Sequence, residues 1–396
     1  MKELIALLDN SFLPANRFRL RFNHCKGKVA IESDNVNILV HIKAYLHYQV
    51  EEGESSQDWR IQAISHYQFD FKELFQEAEK RKMEYDDYGL FTSFGNWQGI
   101  WNQRTQGFIF INIVEKKAAI YNSDVRALFI DAYKSVRQII TSESILHGAV
   151  PVHCSCLSIG GQGIMFMGDK GSGKTTLVTA SLLTQGRLAN YLANDRMLAY
   201  PEEGRVDLYS WPTVLGIGPG AMHHLTAFAQ EMRFDLHDRA GGTAKLLYDQ
   251  ELIGEKPPFD EVSQLPVDEQ WGWPKKLWIT PMEVATACNT NLGTSTKLSM
   301  IVFPTLRPDT KTVTVERVSL EECKEILSQN LLLDLPFYPN WMGLPFVSKE
   351  DFDEAVAALG NTLNDVPAYR ISGGADTESV VKQVFSLLEG LELTNQ

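Results

Sequence analysis

One eight-residue run constrains this chain more than any other segment: Gly168-Asp169-Lys170-Gly171-Ser172-Gly173-Lys174-Thr175. It fits the spacing G-x-x-x-x-G-K-[ST], which has meaning only between a buried strand and a helix. The neighbours comply. Ile164-Met165-Phe166-Met167 reads as a short buried strand, and Thr175 to Gln185 reads as a helix. Gly186 stands where a left-handed C-terminal residue belongs. Glycines let the backbone turn tightly and carry its amides toward phosphates. Amides at a helix N-terminus face an anion with the macrodipole in their favour. The run, together with Thr176, is the expected binding set for a nucleoside triphosphate, taken as ATP. Lys174 is expected to bridge the β- and γ-phosphates, and the Thr175 hydroxyl to complete a magnesium shell. The plainer alternative is a glycine-rich turn with a surface lysine; the strand before and the helix after argue against it.

A triphosphate site also needs a carboxylate. Asp195 follows the apolar run Tyr191-Leu192-Ala193 and is the candidate. It is expected to hold magnesium, directly or through water, or to accept a proton from a substrate hydroxyl. Its plainer role is a turn cap. Arg196 is read either as a phosphate clamp or as the partner of Asp195.

Composition narrows the function class. The net charge is −13, from 50 acidic and 37 basic residues, a poor balance for gripping nucleic acid. The nearest basic tract, Lys80-Arg81-Lys82, reads as the solvated end of a helix. No run approaches the length of a membrane span, and the first nine residues do not read as an export signal. The five cysteines, Cys25, Cys154, Cys156, Cys288 and Cys323, lack the spacing of a disulfide framework or a zinc site. A cytoplasmic protein with no nucleic-acid or membrane partner is therefore expected.

The chain reads as three regions. Residues 1–145 form a mixed α+β accessory region that shapes a substrate site or a subunit contact. Within it, Phe18 to Phe22 alternates like a strand and pairs with Lys28 to Ile31. Asp70 to Lys82 reads as a helix, Gly107 to Val114 as a buried strand, and Ser123 to Ser142 as a helix capped by Ser123 or Asp124. That last helix has an apolar stripe of Val125, Leu128, Phe129, Ala132, Val136, Ile139 and Ile140. Residues 146–310 form the core, with a strand from Val150 to Ile159, a tight turn at Gly160-Gly161-Gln162-Gly163, and a strand from Ser299 to Pro304. Residues 311–396 read as mainly helical, over Leu320 to Leu333, Lys349 to Leu359 and Asp376 to Leu388.

Three features resemble the HPr kinase-related P-loop kinases, akin to phosphoenolpyruvate carboxykinase. His153 precedes Gly168 across a β-hairpin, as a histidine does in that family. Tyr191 to Arg196 is similar to the segment that carries the family's acidic pair. Trp211-Pro212-Thr213-Val214-Leu215-Gly216-Ile217-Gly218-Pro219-Gly220 looks like its Pro/Gly segment. The match runs from His147 to Gly220 and continues more weakly through Thr280-Pro281-Met282-Glu283 to Pro304. The resemblance implies an α/β fold: a P-loop kinase core of the HPr kinase/phosphoenolpyruvate carboxykinase type, with a mixed N-terminal region and a helical C-terminal part. By analogy it implies a homo-oligomer. His153 is then either an active-site contact or a satisfied structural histidine.

The departures are specific. Thr175-Thr176 stands where the bifunctional members carry Ser-Glu, and Asn194-Asp195 where they carry Asp-Asp. An amide cannot exchange a proton usefully near neutral pH. Asp195 then serves both roles, or the base comes from elsewhere, with Asp235 and Asp238 as candidates. No C-terminal phosphorolysis signature is found. His223, His224 and His237 read as surface or substrate-side residues, and Arg233, Arg239 and Lys245 as a clamp or a solvated loop.

The expected activity is ATP-dependent transfer of a γ-phosphoryl group to a hydroxyl, through Lys174, Asp195, His153 and Arg196. A small-molecule acceptor is preferred to a serine of a peptide or carrier protein. A nucleotide-binding regulatory protein with little turnover is the rival from another class.

Overall fold

The computed structural model describes residues 18–51, 58–83, 87–218, 264–266, 276–307, 309–332, 340–374 and 376–394, with isolated positions besides. Two compact units divide the chain. Met1–Gly148 with Leu332–Glu350 makes the first, and Ala149–Leu331 with Asp351–Gln396 the second. Both are mixed α/β.

The first unit begins with β1 (Phe18–His24) and β2 (Gly27–Ser33), the antiparallel pair that the alternation predicts. Helix α1 (Val36–Leu46) follows, its N-cap Asn35 accepting from the Asn37 amide. Then come β3 (Gln49–Val50), β4 (Trp59–Ile64), β5 (Glu79–Lys82), β6 (Tyr88–Phe94), β7 (Trp97–Asn102), β8 (Phe108–Asn112) and β9 (Lys117–Tyr121). They form a nine-stranded sheet in the order β3-β1-β2-β4-β9-β8-β7-β6-β5. Helix α2 (Val125–Leu146) starts where Asp124 accepts hydrogen bonds from the amides of Arg126 and Ala127. Such a cap contributes about 1 kcal/mol. Its stripe from Leu128 to Ile140 is buried, while Val125 at the first turn stays exposed.

The segment read as a helix from Asp70 to Lys82 folds otherwise. A single 3-10 turn, Lys72–Phe75, inserts Phe71 and Phe75 into an aromatic cluster with Phe108, Phe110 and Tyr121. Glu79–Lys82 then leaves as the exposed edge strand β5, paired with β6. Burial of two rings and a ladder of strand hydrogen bonds outweigh the modest helix preference of Glu and Lys.

The second unit is built on a ten-stranded sheet. Its strands are β10 (Val150–Val152), β11 (Ser155–Ile159), β12 (Gln162–Phe166), β13 (Ala189–Ala193), β14 (Met197–Glu202) and β15 (Arg205–Ser210), then β18 (Asn291–Leu292), β19 (Ser295–Leu306), β20 (Thr314–Arg317) and β21 (Ala368–Gly373). A separate ribbon pairs β16 (Leu215–Ile217) with β17 (Leu277–Ile279). The helices are α3 (Lys174–Gln185), α4 (Pro281–Ala287), α5 (Leu320–Gln329), α6 (Lys349–Thr362) and α7 (Thr377–Thr394). The main path runs β10-β14-β15-β19-β12-β11-β13-β18, and β21 adds to β19 in parallel. The stretch read as mainly helical thus also supplies two strands of this sheet. Leu177, Val178 and Leu182 of α3 pack with Phe166, Met300, Val302, Val380 and Val384 in one core.

Two local departures matter for the site. The strand expected from Val150 to Ile159 is broken at His153-Cys154: β10 pairs with β14, whereas β11 pairs with β12 and β13. Gly186 has φ 52° and ψ −128°, outside the left-handed helical well. The expected turn holds, with Gly160 and Gly161 at φ 58° and 83°, the positive values a two-residue hairpin requires. Among the described residues, no helix is long and apolar enough to cross a membrane.

Candidate functional site

Strand β12 delivers the glycine-rich loop, and α3 leaves it. The loop is strapped from below: the Met167 amide donates to the Val302 carbonyl at 3.0 Å and the Leu306 amide to the Ser172 carbonyl at 2.9 Å. It closes on itself where the Ser172 amide donates to the Asp169 carbonyl at 3.1 Å. Gly168, Gly171 and Gly173 take φ of 136°, 84° and 103°, a run that side-chain-bearing residues do not follow without strain. Asp169, Lys170 and Gly171 form the exposed crest.

Lys174 lies at the root of this loop, nearly buried. Its ammonium donates to the carbonyls of Gly168 at 2.5 Å and Asp169 at 3.0 Å. Burial pushes its pKa below the usual lysine range, against the opposing pull of Asp195. Among the described residues, the Ser172 Oγ is buried with no hydrogen-bond partner. An orphaned hydroxyl of that kind costs on the order of 1–3 kcal/mol. A phosphate oxygen in the loop would relieve it and would draw the Lys174 ammonium off the carbonyls. The residues present therefore fit a polyphosphate.

Opposite the loop, β13 ends at Ala193 and the chain turns through Asn194, Asp195 and Arg196 into β14. Asp195 has φ 71°, in the left-handed region. Its carboxylate stands 3.7 Å from His153 Nε2, both side chains partly exposed. The break between β10 and β11 makes this possible, because His153 is freed from the ladder. Its amide instead donates to the Asn330 carbonyl at 2.7 Å. Burial raises the pKa of Asp195, but His153, Lys276 and Lys174 outweigh it and hold the carboxyl below its ordinary value. Asn194 is buried, and its Oδ1 accepts from Ser155 Oγ at 2.8 Å and from Thr175 Oγ1 at 3.0 Å. Thr175 and Asp195 offer two oxygen donors. That set suits magnesium, which keeps several waters and shares substrate phosphates. Thr176 is buried beneath the loop.

The Arg196 guanidinium lies over the Trp211 ring at 4.4 Å. Lys276, ahead of β17, is a site residue that the sequence reading missed; its charge acts on both Asp195 and Lys174. No local motif marks it, and only the pairing of β16 with β17 brings it near. Ser155 was missed for the same reason. Cys154 is buried against Lys174 and Asp195, and burial pushes its thiol well up, so it is an inert packing group. His223, His224, Arg233, Asp235, His237, Asp238, Arg239 and Lys245 lie outside the described residues. Among the described residues, no group of three or more His, Cys, Asp or Glu is placed to hold a metal ion. No protein-family model matches the sequence, and no curated protein matches it.

Proposed function

We propose that this protein is an ATP-dependent phosphotransferase of the HPr kinase-related type, acting on a hydroxyl of a small molecule. One observation carries the reading. A strand-loop-helix cradle with a buried lysine and an orphaned serine hydroxyl faces an ionised aspartate beside a histidine. The acceptor oxygen would form its bond to the γ-phosphorus as the bond to the β-phosphate oxygen breaks, and ADP leaves. Lys174 and the loop amides stabilise the charge that spreads over the transferring oxygens. Asp195 and His153, 3.7 Å apart, would take up the hydroxyl proton or orient the acceptor. Thr175 and Asp195 would hold magnesium, which would supply charge neutralisation for the transfer.

The test is ADP formation with panels of metabolites and of peptides, each followed by intact mass of the acceptor. A mass gain confined to peptides would replace the small-molecule assignment with a protein one. Lys174→Ala should lower turnover roughly 100-fold or more. Undiminished transfer by that variant would remove Lys174 from the mechanism. Asn194, which cannot act as an acid or base, favours a second reading, a nucleotide-binding regulator. Tight ATP binding with no turnover under any acceptor condition would select it.

A further inference from the structure

Among the described residues, the Asn194 side chain is tied into the loop site through its oxygen. Ser155 and Thr175 both donate their hydroxyl hydrogens to Oδ1, which has two lone pairs and is thereby filled. In this orientation Oδ1 accepts both hydroxyl hydrogens; turned over, the amide nitrogen would donate to the two hydroxyls instead. The other branch of the side chain, where an aspartate would carry a second anionic oxygen, is therefore an N–H donor.

We propose that Asn194 is a specificity-determining residue that lets the site bind a nucleoside triphosphate in its metal-free form as well as its magnesium form. The proposal rests on the reading of Gly168 to Thr175 as a nucleotide site. A carboxylate at position 194 would touch the Thr175 hydroxyl, attract a divalent cation there and repel an uncompensated polyphosphate. The amide does neither. The charges that act on one another in this site are the ammonium groups of Lys174 and Lys276 and the carboxylates of Asp169 and Asp195. The neutral side chain at 194 adds no further negative charge to that set, so it does not repel a polyanion that carries no metal. The Thr175 Oγ1, having given its hydrogen to Asn194, keeps lone pairs for magnesium when magnesium is present. Binding and metal requirement are thus uncoupled, while Asp195 retains its oxygen for the metal.

Calorimetric titration of the full chain with a non-hydrolysable ATP analogue decides it, once in excess EDTA and once in saturating magnesium. Wild type is expected to bind both forms within about threefold. Asn194→Asp, nearly isosteric and able to accept the same two hydroxyls, is expected to bind the metal-free form at least tenfold more weakly than the magnesium form, a ratio equivalent to about 1.4 kcal/mol. A tenfold or larger magnesium preference in wild type overturns the proposal. So does an unchanged ratio in the variant. Should circular dichroism show the variant unfolded, the wild-type ratio decides by itself. Absence of binding by wild type in both arms overturns the nucleotide-site reading itself, and so is distinct from a failure in one arm.

Discussion

Gly173 is the position where a single methyl group tests the architecture of the loop. Its backbone sits at φ 103° and ψ 10°. A Cβ built there would lie 2.5 Å from Leu306 Cγ, 2.7 Å from its Cδ1 and 2.8 Å from its Cβ. Leu306 has little room to withdraw, because its amide is bonded to the Ser172 carbonyl and its side chain is buried in the core of the second unit. Gly173→Ala therefore meets two costs. Left-handed backbone costs a side-chain-bearing residue roughly 1–2 kcal/mol. Overpacking adds about 1–3 kcal/mol. The sum, about 2–5 kcal/mol, is a large part of an ordinary domain's stability of about 5–15 kcal/mol. The loop has a way to avoid part of it by shifting locally, which transfers the cost to the bound state. Urea unfolding and nucleotide titration of Gly173→Ala should together show the loss. Leu306→Ala creates space, so a double-mutant cycle isolates the steric part, with an expected coupling of about 1–3 kcal/mol. If Gly173→Ala unfolds within about 0.5 kcal/mol of wild type and binds nucleotide equally well, the close approach of loop and strand is wrong.

Two further predictions concern other residues. Asp131 is fully buried, accepting from Asn102 Nδ2 at 2.8 Å and Thr105 Oγ1 at 2.7 Å. Burial pushes its pKa up to about 6, against those hydrogen bonds. The folded protein then binds this proton more tightly than the unfolded chain, so its contribution falls as pH rises from about 4 to 6 and stays low above, by roughly 3 kcal/mol. From pH 4 to 7.5 the unfolding free energy of wild type should fall by that component relative to that of Asp131→Asn; parallel profiles would refute it. Arg196→Ala should cost about 0.5–1 kcal/mol of stability through loss of the Trp211 contact, with turnover nearly unchanged. A large fall in turnover at unchanged stability would return Arg196 to a phosphate-clamping role.

What could be read in advance was local and periodic. The alternation in β1 and β2, the stripe and cap of α2, and the strand-glycine-helix frame of the loop all carry their structure in neighbouring residues. The segment from Glu79 to Lys82 did not, because only pairing with β6 makes it a strand. Residues 150–159 are apolar enough for one strand, and nothing in them marks His153-Cys154 as the point where the chain changes neighbours. Strand β21, half polar and flanked by helices, gains its identity from parallel pairing with β19. In the site, the spelling gave Lys174 and Thr175 but not their partners. Lys276 is delivered by the β16–β17 ribbon and Ser155 by the register of β11, and both are tertiary facts.

The sequence leaves the base either to Asp195 or to a residue elsewhere, with Asp235 and Asp238 as candidates. A general base is most effective with a pKa near the working pH. Asp195 is held below even its ordinary value, so it stays ionised and draws a proton weakly. An anionic oxygen of that kind suits a metal ligand or an orienting group. Its left-handed backbone has the same meaning: about 1 kcal/mol of strain is tolerated to aim a carboxylate at one place. In the phosphotransferase we propose, the imidazole of His153, 3.7 Å from Asp195, is assigned the hydroxyl proton. With Asn194 neutral and filled by two hydroxyls, no second carboxylate of the turn competes for either task. We propose that Asp195 holds the charge while His153 takes the proton.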